Sequence, residues 1–258
     1  MDPFRLDGRN VVVTGGGSGI GKSIAERFAY AGALVSILDI DIATAQAVAK
    51  LIADTGGKAM AYRCDVSNHA DTKSVFDQIA GTGRINVLVN NAGISHVGTL
   101  ETTTEADFDR IFRVNVKGMF HCMQASIHHM KTHGGIILNM ASIAAYSGLG
   151  DRFAYSMSKG AVISMTYSVA RDYLKYNIRC NCISPARVHT PFVDGYLRQN
   201  YPGHEAEMFQ KLSETQPIGR MAQPREVADL ALFLCSDEAS FITGMDYPLD
   251  GGFLHLHG

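Results

Sequence analysis

The stretch Asn10–Tyr30, NVVVTGGGSGIGKSIAERFAY, decides the fold. Its first five residues are short, apolar and rich in β-branched side chains, and a glycine cluster follows. That pattern predicts a buried strand ending in a tight turn. From Lys22 onward, Ile24, Ala25, Phe28 and Ala29 fall on one face of a helix. Between strand and helix stand Gly15, Gly19 and Gly21. One glycine lets the strand turn, one lets backbone N–H groups approach a ligand, and one lets helix and strand pack closely. The helix N-terminus then offers its positive end to a pyrophosphate. Gly15, Ser18, Gly19, Ile20 and Gly21 are the expected phosphate-side residues.

Outward from that loop, Ala33–Leu38 reads as a second strand, and Asp39 ends it. Asp39 lies 24 residues after Gly15. A carboxylate there accepts both hydroxyls of an adenosine ribose and repels a 2′-phosphate. Neither Ile40, Asp41 and Ile42 nor the glycine loop supplies a cation. The expected cofactor is therefore NAD rather than NADP.

The alternation continues. Ile42–Thr55 predicts a helix, Lys58–Cys64 a strand, Asp71–Ile79 a helix, and Ile85–Val89 a strand. Glu105–Met130 reads as one long helical region, Ile136–Met140 as a strand, Asp151–Lys175 as a long helix, and Ile178–Ile183 as a sixth strand. Glu226–Leu234 is a further helix and Asp246–Asp250 a seventh strand. Repeated strand–helix units with right-handed crossovers give an α/β, single-domain, Rossmann-type doubly wound parallel sheet of about seven strands, helices on both faces. One catalytic domain, residues 1–258, is expected, with a lid-like excursion at 185–224 that carries Pro191, Pro202, Gly203 and Pro217.

Composition agrees with a folded enzyme. Among 258 residues, 46% are hydrophobic and 19% charged, which excludes a disordered chain. The net charge is −2, so there is no basic surplus to neutralise a phosphate backbone, and no nucleic-acid partner is expected. No apolar run is long enough to span a bilayer, and the polar N-terminus lacks a signal-peptide core; a cytoplasmic protein with no membrane partner is expected. The five cysteines, Cys64, Cys122, Cys180, Cys182 and Cys235, read as buried hydrophobes rather than a disulfide framework. Cys180 and Cys182 are expected on opposite faces of their strand. No metal site is expected: His129 and His133 stand four apart, but no acid partner recurs.

Tyr155 and Lys159, also four apart, share a helical face. A tyrosine ordinarily loses its proton near pH ~10. A neighbouring ammonium favours the phenolate, so the pair reads as a base with its own activator. TGGGSGIG at 14–21, Cys64-Asp65-Val66, NNAG at 90–93, Asn115, Ser142, Tyr155-Ser-Met-Ser-Lys159 and Ser184-Pro185 occur in an order and spacing that resembles the short-chain dehydrogenase/reductase family over essentially the whole chain. The resemblance implies NAD(P)-dependent alcohol oxidation or carbonyl reduction. It implies Tyr155 as general acid/base, Lys159 as its partner and a ribose ligand, and Ser142 as holder of the substrate oxygen. Asn115 then anchors a relay water, Asp65 and Val66 meet the adenine, and Asn91 contacts the cofactor through its backbone. Val188 and Thr190 hold the carboxamide. It also implies a homotetramer through the helices Glu105–Met130 and Asp151–Lys175.

Arg152 precedes Tyr155 by three residues, one helical turn away at the expected mouth of the site. A guanidinium there can clamp a carboxylate. Arg152-Phe-Ala-Tyr155 and Ile178-Arg-Cys-Asn-Cys182 look like the subgroup of 3-hydroxybutyrate and 2-keto-3-deoxy-L-fuconate dehydrogenases. The expected substrate is a small hydroxy acid or deoxy sugar acid, met by Ser142, Arg152, Tyr155, His96 and Arg187, with His189 also near the pocket. The rival readings are a 3-oxoacyl or sugar-alcohol reductase, and a nucleotide-sensing protein without turnover. The tail Phe253–His257 is expected exposed or docked on a neighbour.

Overall fold

Strand β1 (Asn10–Thr14) lies inside a seven-stranded sheet, third from one edge, in a computed structural model that describes residues 4–256. The strands are β2 (Leu34–Asp39), β3 (Lys58–Arg63), β4 (Ile85–Asn90), β5 (Gly135–Met140), β6 (Ile178–Pro185) and β7 (Asp246–Leu249). All neighbouring strands pair in parallel, in the order β3-β2-β1-β4-β5-β6-β7. The chain winds outward from β1 in one direction and then from β4 in the other. A crevice opens where that winding reverses, at the C-terminal ends of β1 and β4, and this is where such sheets bind ligands.

Helices α1 (Gly19–Tyr30), α2 (Ile42–Asp54) and α9 (Pro224–Cys235) cover one face. Phe28, Ile24 and Ala25 of α1 are fully buried there against Val11 and Val13. Burying a side chain the size of Phe28 contributes about 1.5–3 kcal/mol. Helices α3 (His69–Ala80), α5 (Met119–Met130) and α6 (Phe153–Tyr173) cover the other face. All five cysteines are free and buried. Cys180 and Cys182, expected on opposite faces, enter the same α6-side layer, because residues two apart on a strand share a face.

Local chemistry sets the boundaries. The side chain of Asn68 accepts a bond from Asp71 N, so α3 begins at His69, two residues earlier than its apolar pattern announced. The Gln223–Glu226 capping box and Pro224 start α9 in the same way. The region expected as one helix, Glu105–Met130, is divided. Helix α4 (Glu105–Ile111) passes into a π-helical turn, Phe112–Gly118, before α5. A π-turn inserts an extra residue into the ladder, and such turns concentrate at functional sites. Asn115 lies at its centre and is 1% exposed. The excursion after β6 contains two helices, α7 (Pro191–Asn200) and α8 (Glu205–Glu214). Its two ends meet in a short parallel bridge, Val188 to Ala222. Among the described residues, no helix is long and apolar enough to cross a membrane.

Candidate active site

The glycine loop is closed by contacts that leave no room for side chains. Gly15 has φ +63°, and a Cβ there would come within 2.9 Å of Ala92 Cα. A Cβ on Gly21 would overlap the Gly15 carbonyl oxygen. The side-chain amide of Asn91 donates to Thr14 O and Gly15 O, each at 3.1 Å. Thr14 Oγ1 accepts from Asn91 N and Ala92 N at 3.1 Å. Asn91 therefore braces the loop with its side chain. Thr14, a strand-end residue beside the first glycine, emerges as its counterpart. Ser18 precedes α1 without a side-chain cap bond, so its hydroxyl does not take up the N–H groups of the first turn. Gly19 faces the Thr190 methyl, with an added Cβ at 3.5 Å, and Ile20 packs onto the core beneath.

Asp39 holds the far side of this loop. Its carboxylate accepts Gly17 N at 3.0 Å and Asp41 N at 3.1 Å. At the end of β3, Asp65 Oδ1 accepts the backbone and hydroxyl of Ser67. Val66 packs where Gly118 lacks a side chain, and its carbonyl meets His121 Nδ1 at 2.9 Å. These residues form one continuous cradle, and the space the glycines leave fits a dinucleotide.

Ser142, Tyr155 and Lys159 come together at the ends of β5 and α6. Ser142 follows β5, accepts Ala144 N to cap the short 3-10 turn Ile143–Ala145, donates to Pro185 O at 3.5 Å, and lies close enough to the Tyr155 phenol to influence it. Burial raises the Tyr155 phenol above its ordinary value, while Ser142 and the Arg152 charge pull it back. Lys159 is 6% exposed, and burial lowers its ammonium to about 8. Its Nζ donates to Met140 O at 2.7 Å and lies 5.7 Å from the Tyr155 ring centroid. Burial dominates the phenol here, and Lys159 turns a proton to a carbonyl while its charge stands beside the Tyr155 ring.

Asn115 binds protein with its whole side chain. Oδ1 accepts Ile94 N, and Nδ2 donates to Ile94 O and to Ser158 Oγ. Ser158 Oγ donates in turn to Tyr155 O at 2.7 Å. Both amide N–H groups of Asn115 are thus taken by protein, and the residue ties the NNAG turn, through Ser158, to the helix that carries Tyr155 and Lys159.

The charge of Arg152 reaches the Tyr155 phenol and also the Arg187 guanidinium. Arg152 Nη1 donates to His96 O at 3.2 Å, and Arg187 Nε donates to Thr215 Oγ1 at 3.0 Å. Burial lowers the Arg187 pKa, and the Arg152 charge lowers it further. Among the described residues neither has a carboxylate partner. Tyr196 of α7 lies within the field of both. His96 reaches this site by its carbonyl and not by its ring. The ring is nearly buried, turns to Asp107 at 3.6 Å, and fits only because Gly98 has no Cβ. His189 likewise turns away, to Asp194 at 2.9 Å. Val188 is buried in the bridge at the base of the excursion. His129 and His133 go to separate partners, Asp77 and Ile85 O. In the tail, Asp250 accepts Gly252 N and Leu254 N, His255 lines a cavity of about 380 Å³ beside Tyr146 and Tyr167, and His257 lies outside the described residues.

Comparison with known proteins gives this geometry a context. A family model described as enoyl-(acyl carrier protein) reductase matches residues 15–254. The 2-keto-3-deoxy-L-fuconate dehydrogenase of Xanthomonas campestris is 36% identical over 251 residues, which cover 96% of this chain and 81% of that one. The L-sorbose reductase of Gluconobacter frateurii, solved with NADPH and L-sorbose, superposes with a TM-score of 0.94 at 28% identity over 100% of both chains. The 3-ketoacyl-(acyl-carrier-protein) reductase of Brucella melitensis, solved with NADH, gives a TM-score of 0.86 at 35% identity over 96% of this chain and 99% of that one.

Proposed function

The chain belongs to the short-chain dehydrogenase/reductase family of oxidoreductases, and we propose that it uses NAD to interconvert a secondary alcohol and a ketone on a small hydroxy acid or deoxy sugar acid. The observation that carries the substrate half is the pair Arg152 and Arg187, which feel each other's charge and, among the described residues, have no acid to balance them. Two like charges brought together off bulk water are a standing cost, and an anionic ligand offsets it. A carboxylate accepts paired N–H donors from such groups.

The cofactor half rests on Asp39. A carboxylate fixed by two backbone N–H groups at the end of β2 presents negative charge where a 2′-phosphate would have to sit. The relatives solved with NADPH and with NADH show that this scaffold serves either coenzyme, and Asp39 is what favours NAD here. When bound, the nicotinamide ring accepts or gives up the hydride.

The chain's own residues manage the proton. Ser142 Oγ holds the substrate oxygen. Tyr155 Oη takes the hydroxyl proton in oxidation and returns it in reduction. Lys159 keeps a positive charge beside the ring and steadies the phenolate as it forms. Asn115 and Ser158 hold the helix that carries both. Gly15, Ser18, Gly19, Ile20 and Gly21 hold the pyrophosphate side, Asp65, Val66 and Asn91 line the adenosine side, and Val188 and Thr190 hold the nicotinamide end. The excursion at 185–224 serves as the substrate lid. The exposed Phe112, Phe120, Phe153 and Tyr167 on the helices expected to assemble support a homotetramer.

The test follows nicotinamide absorbance with hydroxy acids set against neutral alcohols of matching length, each with NAD and with NADP. Acids with NAD are expected to react fastest. Equal rates on neutral alcohols would remove the carboxylate clamp. Tyr155→Phe is expected to lower turnover by about 10²–10⁴-fold while NADH binding persists; near-normal turnover would reject the mechanism.

A further inference from the structure

His189 was expected near the substrate. The structure sets it elsewhere, at the junction of the excursion with the sheet. Its backbone N donates to Ala222 O at 2.8 Å, next to the Val188–Ala222 bridge that closes the base of the excursion. Its Nε2 meets Asp194 Oδ1 on α7 at 2.9 Å. Its ring stands edge-on to Phe209 of α8, centroids 4.8 Å apart at 71°. One side chain thus touches both helices of the excursion. The residue after it, Thr190, begins α7 and faces Gly19 of the glycine loop.

We propose that His189 is a positioning residue that latches α7 and α8 to the turn Val188–Thr190, so that the lid and the coenzyme-facing turn move as one piece. The physical reason lies in the rest of the excursion. Helices α7 and α8 bury only Leu197 and Ser213 between them, so little apolar packing secures them. A segment with few buried contacts opens at low free energy unless a specific tie holds it. The imidazole supplies two ties at once: a directed bond to α7 and a ring contact to α8. Arg187, two residues earlier, holds Thr215 just after α8. The latch is independent of substrate identity; only its coenzyme arm rests on the dinucleotide reading above.

The full-length protein tests this by trypsin cleavage at Arg198 and Lys211, exposed positions on α7 and α8. His189→Leu is expected to speed cutting there by about tenfold, since cleavage follows the population of the open lid. His189→Gln keeps an N–H for Asp194 but gives up the ring contact to Phe209, and is expected to cut more slowly than His189→Leu, between it and wild type. Asp194→Ala breaks the bond from the exposed end without disturbing the ring, and is expected to reproduce the Leu phenotype. General unfolding is read apart from this, by the melting temperature and by cuts at Arg27 and Lys50 in α1 and α2. If His189→Leu also unfolds the core, Asp194→Ala alone decides the matter. In the second arm, NADH titrated by fluorescence is expected to bind several-fold more weakly to His189→Leu, with His189→Gln between it and wild type. Unchanged lid cleavage in Asp194→Ala, or NADH affinity equal in the Leu and Gln variants, overturns the proposal. A protein that turns over no hydroxy acid would sink the earlier substrate reading while leaving the cleavage pattern intact.

Discussion

The glycine cradle and the arginine pocket sit at the same edge of the sheet, and they are built on opposite principles. In the cradle the loop is braced from within. Asn91 holds Thr14 O and Gly15 O, Thr14 Oγ1 holds two backbone N–H groups, and Asp39 holds two more. In the pocket two guanidiniums feel each other's charge, each given one neutral acceptor. The first region is braced before a ligand arrives, so its shape is fixed by sterics. The second is left electrostatically open, so its preference is set by charge. Substitutions in the two regions should therefore fail in different ways.

The largest difference is expected at Gly21. An added Cβ would overlap the Gly15 carbonyl and press on Asn91 Nδ2, both parts of the loop itself. Backbone cannot step aside as a flexible side chain can. Gly21→Ala is expected to weaken NADH binding by about 100-fold for acids and alcohols alike, in line with the cost of overpacking a filled site. Calorimetric titration checks it. Affinity within a few-fold of wild type would mean that the cradle is as adaptable as the pocket, and the contrast would be lost.

Arg152→Gln should do the reverse. NADH affinity is expected to hold, while kcat/KM on hydroxy acids falls by about 10–100-fold, the range for losing a charged hydrogen bond. Neutral alcohols should be unaffected. Arg187→Gln is expected to follow in the same direction, and a uniform loss across both substrate panels would show that the arginines serve the fold instead.

Regions also differ in how much of them the sequence exposed. The cradle was legible because backbone chemistry writes itself in residue type: Gly15, Gly19 and Gly21 between an apolar run and an amphipathic one leave few other arrangements, and the seven strands follow from the same alternation. Tyr155 and Lys159 were legible for the same reason, since helical spacing fixes that they share a face. What spacing does not fix is where a long polar side chain turns. His96 faces Asp107 and offers only its carbonyl, His189 joins the two lid helices, and Lys159 reaches Met140 O. Asn115 stood out as a residue, but its bracing of the NNAG turn did not, because a π-turn in the middle of an apparently continuous helix carries no periodic signature. Ser158 lay in plain view within Tyr155–Lys159, yet only the three-dimensional path from Asn115 to Tyr155 O gives it a task.

Lys159 belongs to neither region, and its burial provides the finest test of how the two are joined. In the folded chain its ammonium is held at about 8 by burial, whereas an unfolded lysine keeps its proton to about 10.4. Between those values the unfolded lysine binds more protons than the folded one, so this residue's contribution to stability rises with pH across that window. Below it both states are protonated, and the full cost of burying the charge is present. Asp246, which burial raises to about 6, works in the opposite direction, but its contribution is largely over by pH 7. The five buried thiols, each raised by burial, also oppose the lysine, because unfolded cysteines ionise within the window and folded ones do not. The lysine is therefore read as a difference: from pH 7 to pH 9 the protein without dinucleotide is expected to gain about 1 kcal/mol relative to Lys159→Met, measured as the change in their urea midpoints. Lys159→Met is expected to show the thiol slope alone. Parallel midpoints for the two proteins from pH 7 to pH 9 would mean that the ammonium is better solvated than its place between cradle and pocket implies, and that the two regions are not separated by a dry lysine at all.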